Sequence, residues 1–228
     1  MGGQYEFNDY RKAPSFSTGI RFSKILAAFA WTAALTVGAY FVLTHVPRYF
    51  VWTEASYHAY YWPRAGFLFP HVLGGLVALV VGPVQFWPRI RNGYPKVHRI
   101  GGRIYLVSIL IGAVGGMAMA VTSSRGLTFS TGLFGLAVAW LLTSGMAFVS
   151  VRKRNFVQHK QWMVRSYIVT FAFVTFRIIN NLMVYFGIGQ ARDRLGLISW
   201  ACWAVPLLLT ELVIQGKQVF AGGARTIA

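Results

Sequence analysis

The apolar residues of the chain fall into six long stretches that are separated by short polar segments. Each stretch has about the 20 mostly apolar residues that an α-helix needs to cross a bilayer. They cover residues 25–46, 67–87, 101–121, 132–151, 162–188 and 197–215. Short connections favour antiparallel packing of neighbouring helices. The pattern therefore predicts an all-α polytopic membrane protein with six transmembrane helices, of which the second to fifth form a four-helix core bundle.

The same pattern predicts three regions along the chain. Residues 1–66 comprise an N-terminal tail, the first transmembrane helix and an outer loop. Residues 67–190 form the four-helix core domain, and residues 191–228 hold the sixth helix and a C-terminal tail. The first apolar stretch begins well inside the chain and is followed by no convincing small-residue cleavage site. We therefore expect a retained helix and not a signal peptide.

The composition narrows the class of protein further. Charged residues make up 12% of the chain, about half of the roughly 25% that is usual for soluble domains. The single cysteine, Cys202, excludes an intramolecular disulfide and a zinc site built on cysteine pairs. Only five acidic residues are present, so calcium sites and paired-carboxylate hydrolysis are poor candidates.

The basic residues are distributed unevenly over the predicted topology. There are 22 Lys and Arg residues and a formal net charge of +17. On one side of the membrane lie only Arg48, Arg64, Arg125, Arg192 and Arg194; Arg177 falls within a span, and all the others lie on the opposite side. The positive-inside rule then predicts that both termini are cytoplasmic. We expect anionic lipid headgroups, and not nucleic acid, as partners of the basic face.

Polar and small residues recur at helical spacing on three spans. The faces are His71, Gly75, Ala78, Gly82 and Gln85 on the second span, His98, Tyr105, Ser108, Gly112 and Met119 on the third, and Ser166, Thr170, Arg177 and Asn181 on the fifth. Small residues let helices approach closely, and they also make room for a flat cofactor. The sequence leaves both interpretations open.

Two histidines suggest a haem site. His98 precedes the third span and His159 precedes the fifth, so both imidazoles are expected at a similar depth on the cytoplasmic side. Axial ligation of haem b iron by two neutral imidazoles needs this arrangement. Arg103 and Arg165 are then candidate partners of the haem propionates. The simpler alternative is that both histidines hydrogen-bond to carbonyls or lipid headgroups.

A second candidate site lies in the outer half of the bundle. Arg177 is deep in the fifth span, and a guanidinium there needs an oxygen partner. With His71, Gln85 and Asn181 it is expected to form an outer polar pocket, for which a haem propionate, a quinone carbonyl or a lipid headgroup is suitable. Helix-end carbonyls are the alternative partners of Arg177. Glu211, on the sixth span, is a plausible partner of Arg165 at the cytoplasmic end.

Three motifs carry a resemblance to a known family. They are the run from His71 to Gln85 that ends in Gly-Pro-x-Gln, the His-Arg-x-x-Gly-Arg-x-Tyr of 98–105, and the His-x-x-Trp-Met-x-Arg-Ser-Tyr that begins at His159 and ends in Thr-x-Arg at Arg177. The chain resembles the predicted bacterial membrane proteins of the domain of unknown function 2306 family. The resemblance implies a four-helix core and a location in the inner membrane of a bacterium, but no activity.

A looser similarity is to two-haem transmembrane cytochromes b, whose axial histidines come from alternate spans. The fourth span has no histidine, so this analogy supports at most one bis-histidine haem. Three functions are then open: haem-based electron transfer, which includes quinone-linked transfer; a scaffold or accessory subunit of a larger membrane complex; and transport or lipid handling. The absence of Asp and Glu between His71 and Leu182 argues against a proton-coupled transporter based on carboxylates. The absence of evident helix breaks is a weaker argument against a transporter.

Overall fold

The computed structural model describes the backbone of residues 16–222 and the side chains of residues 25, 26 and 28–219. The chain divides into two units, Met1–Tyr40 and Phe41–Ala228. Helix α1, Phe16–His45, accounts for the described part of the first unit and ends in the second. Arg11, Lys12 and Arg225, which helped to orient the predicted termini, lie outside the described residues.

The second unit is helical throughout its described length, with no β-strand there. Its helices are α2 (Glu54–Tyr61), α3 (Ala65–Phe86), α4 (Pro88–Gly93), α5 (Pro95–Val121), α6 (Leu127–Arg152), α7 (Phe156–Thr170), α8 (Ala172–Tyr185) and α9 (Ala191–Gly222), with short 3₁₀ turns at Pro47–Phe50 and Trp62–Arg64. Proline begins α4 and α5, where a missing N–H is harmless. The Asn155 side chain caps α7 by accepting from the backbone N–H of Gln158 at 3.1 Å.

Among the described residues, five helices are long and apolar enough to cross a membrane. The pair α7 and α8 makes a sixth crossing if it is counted as one bent span. These findings confirm the predicted all-α polytopic membrane protein. Many large apolar side chains on these helices remain exposed, for example Leu110 and Leu208, as expected where lipid and not water surrounds the protein.

Helices α3, α5, α6 and α7 form a ring in which α5 and α7 occupy opposite corners, and α9 packs outside it on α6, α7 and α8. We call the end with the α3–α5 and α6–α7 connections the basic end, because Arg89, Arg91, Lys153 and Arg154 lie there. The end with the α5–α6 connection is the opposite end. The helices alternate in direction between these two ends.

Glycines bring α3 and α5 into backbone contact. A Cβ atom on Gly74 would lie 2.7 Å from the nitrogen and 2.9 Å from the Cα of Gly112. A Cβ on Gly115 would lie 2.6 Å from the carbonyl oxygen of Phe67. These distances are shorter than van der Waals contact, so the small residues on this pair of helices serve close helix packing.

The fifth span, predicted as one helix, is broken at Phe171, where α7 and α8 meet at an angle of 40°. The hydroxyl of Thr170 donates to the carbonyl of Ser166 at 2.9 Å, and that of Thr175 donates to the carbonyl of Phe171 at 3.3 Å. Such bonds from Ser and Thr to the preceding turn bend helices. The argument against a transporter from unbroken helices is therefore wrong for this span.

Candidate functional site

A cavity of about 190 Å³ lies at the opposite end of the second unit. Its walls come from the end of α1, the first 3₁₀ turn, the last residue of α2, and α3, α5, α6, α8 and α9. The lining is largely apolar and aromatic, and its aromatic members include Phe41, Tyr49, Tyr61, Phe129, Trp140 and Phe173. Its ionisable side chains include His45, His71 and Arg177. An apolar cavity with a few convergent polar groups is the usual form of a small-molecule site.

His71 is held in a fixed orientation at the cavity wall. Its Nδ1–H donates to the carbonyl oxygen of Gly112 at 2.7 Å. Its ring also makes an edge contact with Phe173, at 4.8 Å between ring centroids. Because a carbonyl oxygen only accepts, Nδ1 carries the proton in this bond. The Nε2 atom is then the one available to a ligand, as an acceptor in the neutral ring or as a donor in the imidazolium.

Trp140 forms another wall and is fixed from behind by a buried hydroxyl network. Its indole N–H donates to the Thr170 hydroxyl at 2.8 Å. Thr170 also lies 3.0 Å from the Tyr105 hydroxyl, which lies 2.9 Å from the Ser166 hydroxyl. Ser144 completes the chain at 2.8 Å from Ser166. Sequence reasoning noted several of these positions but missed Trp140, although a tryptophan deep within a span needs a polar partner.

The hydrogen-bonded hydroxyls of Tyr105, Ser144, Ser166 and Thr170, which we call the hydroxyl clamp, have a structural role and do not form a proton path. The Thr170 hydroxyl donates to the Ser166 carbonyl, so its two lone pairs accept from Trp140 and Tyr105. An indole N–H only donates, so the chain of hydroxyls ends at Trp140 without a group that can pass a proton into the cavity. The network therefore holds α5, α6 and α7 together and positions the tryptophan.

Arg177 reaches the same cavity from α8, beyond the helix break. It is near enough to His45 for the two side chains to interact electrostatically. The described part of the chain provides no carboxylate that pairs with Arg177. His71 and Arg177, two members of the predicted outer pocket, thus line one cavity, and His45, which the prediction did not include, lines it as well.

Two other members of the predicted outer pocket lie elsewhere. Gln85 packs against Gly101 and Gly102 at the basic end, 14 residues and therefore about 21 Å along α3 from His71. Periodicity placed both residues on one helix face but did not weigh this separation. Asn181 is exposed on α8 and is not part of the cavity lining.

The predicted haem ligands lie on opposite corners of the ring at the basic end. His98 and His159 are close enough to interact electrostatically. The Nδ1–H of His159 donates to the carbonyl of Ala147 at 2.9 Å. The Nδ1 atom of His98 is buried and has no hydrogen-bond partner among the described residues. Within those residues, no group of three or more His, Cys, Asp or Glu side chains could hold a metal ion.

The two predicted propionate partners, Arg165 and Arg103, differ in their surroundings. Arg165 is buried on α7 and pairs with Glu211 of α9, with Nη2 and Nε 2.5 and 2.7 Å from the same carboxylate oxygen. Its guanidinium also lies over the Trp162 ring, 4.6 Å from the centroid. Arg103 is exposed on α5. The pair of Arg165 with Glu211 was considered plausible from the sequence, and the structure contains it.

Residues 68–214 match the family model described as predicted membrane protein, DUF2306. This match covers more than half of the chain and includes every residue of the cavity wall on α3, α5, α6, α8 and α9. No curated protein and no solved structure matches this chain.

Proposed function

Because the chain belongs to the DUF2306 family of predicted membrane proteins, whose description states no activity, we propose a function from the cavity itself. The protein binds a lipid-soluble molecule with a single ring and a hydrogen-bonding oxygen, of the quinone class, in the cavity at the opposite end. The observation that carries this proposal is the meeting of His71 and Arg177 at one apolar, aromatic cavity. Quinones of this kind serve quinone-linked electron transfer, which is part of one of the three functions that the sequence left open.

The size of the cavity supports one ring. An apolar cavity of about 150 Å³ is known to bind benzene, and this cavity is about 190 Å³. One substituted ring therefore fits, whereas a porphyrin, with four pyrrole rings, needs several times that space. Phe173 and Trp140, whose ring centroids are 5.6 Å apart, offer aromatic surfaces on which such a ring packs.

The polar groups support an oxygen on that ring. Arg177 donates only, and it suits a carbonyl or phenolate oxygen. His71 Nε2 suits a hydroxyl when the imidazole is neutral and a carbonyl when it is protonated. The two side chains therefore match both the oxidised and the reduced form of a quinone.

The direct test is a binding titration of the purified protein in detergent. We expect a decyl-substituted benzoquinone to quench tryptophan fluorescence saturably, because Trp140 lines the cavity. The ring-free 1-decanol should neither quench nor compete. Arg177→Gln should weaken binding, whereas Arg192→Gln, an exposed arginine at the same end, should not. Competition by decanol would favour lipid handling, and the absence of any binding would favour an accessory subunit of a larger complex.

A haem between His98 and His159 is the second candidate, because His159 is oriented as metal-bound histidines usually are. Such histidines donate their second ring nitrogen to a carbonyl or carboxylate, as His159 does to Ala147. His98 and His159 would hold the iron, and the haem would supply one-electron chemistry. The surroundings fit less well, since Gln85 fills the space beside Gly101 and Arg165 is paired with Glu211. A Soret band that disappears in His98→Ala would establish this candidate, and its absence would eliminate it.

For the membrane, we propose that the basic end faces the cytoplasm of a bacterial cell, with both termini on that side and anionic headgroups as its lipid partners. The charge distribution supports this orientation. Cys202 is buried, so cysteines introduced at exposed positions provide a direct test. A membrane-impermeant maleimide added to whole cells with a permeabilised outer membrane should label Ser124→Cys and should not label Asn92→Cys. The reverse pattern would contradict the orientation.

A further inference from the structure

A polar cluster at the basic end is distinct from the proposed quinone site. Gln85 is only 5% exposed, and neither its amide nitrogen nor its amide oxygen has a hydrogen-bond partner among the described residues. The buried Nδ1 atom of His98 also has no hydrogen-bond partner among the described residues. A buried amide without partners is costly, and a native structure normally satisfies such groups.

Gln85 packs against α5 about one helical turn from His98. The amide of Gln85 occupies the space that a Cβ on Gly101 would need, and its oxygen would lie 3.8 Å from a Cβ on Gly102. His98 precedes these glycines by three and four residues, so it occupies the same face of α5, one turn nearer the basic end. His159 approaches from α7, with its Nδ1 already bonded to Ala147.

The donors and acceptors of this cluster define its ligand. The Gln85 amide offers two N–H donors and one acceptor oxygen, and the two imidazoles each contribute a ring nitrogen. A ligand must therefore donate and accept at once, and it must fit beside the buried amide of Gln85 and the buried Nδ1 atom of the half-buried His98. A bare anion would leave the amide oxygen unpartnered. A cation would meet Arg91 and two imidazoles, and no carboxylate among the described residues acts on His98 to balance it.

We propose that Gln85, His98 and His159 form an internal hydration site, in which ordered water bridges the Gln85 amide and the His98 imidazole. Water both donates and accepts hydrogen bonds, and a single water molecule fits into a very small cavity. Gly101 is part of the site, because its lack of a side chain leaves room for the amide. The site lies on the face of α5 that continues to Tyr105 and so extends the buried polar network towards the basic end.

The hydration site can be tested by whether the melting temperature falls or rises when the Gln85 amide is removed. Gln85→Met keeps the length of the side chain and removes the amide. If water bridges the amide to His98, the substitution breaks a satisfied network, and the melting temperature should fall by about 2–4 °C. If the amide has no partner, removal of an unsatisfied group stabilises the protein, and the melting temperature should rise.

The exposed Gln158→Met is the matched control and should leave the melting temperature unchanged. A high-resolution structure of the wild type should show a water within hydrogen-bonding distance of Gln85 and His98. A rise or no change in the melting temperature of Gln85→Met would overturn the proposal. A haem Soret band that depends on His98 would overturn it too, because haem and Gln85 would compete for the same space.

Discussion

The Nδ1–H of His71 on α3 donates to the carbonyl oxygen of Gly112 on α5 at 2.7 Å, and this bond leaves Nε2 for a ligand in the cavity. Gly112 also lies against Trp140, since a Cβ added to it would be 3.2 Å from the indole ring. One glycine thus positions two walls of the proposed quinone site.

Replacement of His71 should weaken ligand binding. His71→Phe keeps an aromatic ring beside Phe173 but removes both ring nitrogens. Because one hydrogen bond contributes about 1 kcal/mol, the affinity for decyl-benzoquinone should fall about fivefold in the fluorescence titration. His159→Phe, at the basic end, serves as the control, and an equal loss there would show that the effect does not come from the cavity.

The glycines of the α3–α5 contact should differ sharply in their tolerance of a methyl group. Gly74→Ala places a Cβ 2.7 Å from backbone of α5, which cannot move aside as a side chain can. Overpacking of this kind costs about 1–3 kcal/mol, and thermal unfolding in detergent should show it. At the adjacent Gly75 the nearest atom is on the Phe173 ring at 3.4 Å, so Gly75→Ala should change stability little. Equal effects at both positions would contradict the close helix contact.

Thr170 is the shared acceptor of the hydroxyl clamp. Thr170→Val leaves the Trp140 indole and the Tyr105 hydroxyl without their common partner. Since an unsatisfied buried group costs about 1–3 kcal/mol, both the melting temperature and the quinone affinity should fall. Thr170→Ser retains the hydroxyl and should preserve most of both properties. A loss in Thr170→Ser as large as in Thr170→Val would show that methyl packing, and not the hydroxyl, matters.

The ion pair between Arg165 and Glu211 ties α7 to α9. Glu211→Gln leaves a guanidinium whose side chain is only 8% exposed without its counter-charge. Because the Glu211 side chain is 39% exposed, the pair is only partly buried, and we expect a loss of about 1–2 kcal/mol, smaller than the roughly 3–5 kcal/mol of a fully buried pair. In thermal unfolding, Arg165→Met combined with Glu211→Leu should be more stable than Glu211→Gln alone. The opposite order would show that the charge is well tolerated without its partner.

Hydrophobic periodicity was sufficient to predict the spans, because the length and apolarity of a crossing helix are encoded locally. It did not predict the break at Phe171, since Thr170 and Thr175 bend the helix through bonds to their own backbone. The charge pattern likewise suggested the pair of Arg165 with Glu211. That prediction was possible because Arg165 and Glu211 fall at a similar depth in their spans.

Which residues line the cavity was predicted less well than the transmembrane spans, and the reason is physical. Helical spacing identifies which residues share a face, but a site also requires equal depth. Gln85 and His71 share a face of α3 and lie about 21 Å apart. Trp140 and His45 could be recognised only once α1, α6 and α8 were placed around one cavity.

The most direct test of the central claim is to fill the cavity and measure quinone binding. Ala137 of α6 lines the cavity and is 4% exposed, so Ala137→Phe should occupy the space of the bound ring. Partly exposed Ala139, on the same helix but outside the lining, gives the matched variant Ala139→Phe. We predict that saturable quenching by decyl-benzoquinone is lost in Ala137→Phe and kept in Ala139→Phe. Undiminished binding by a folded Ala137→Phe would contradict the assignment of the ligand to this cavity.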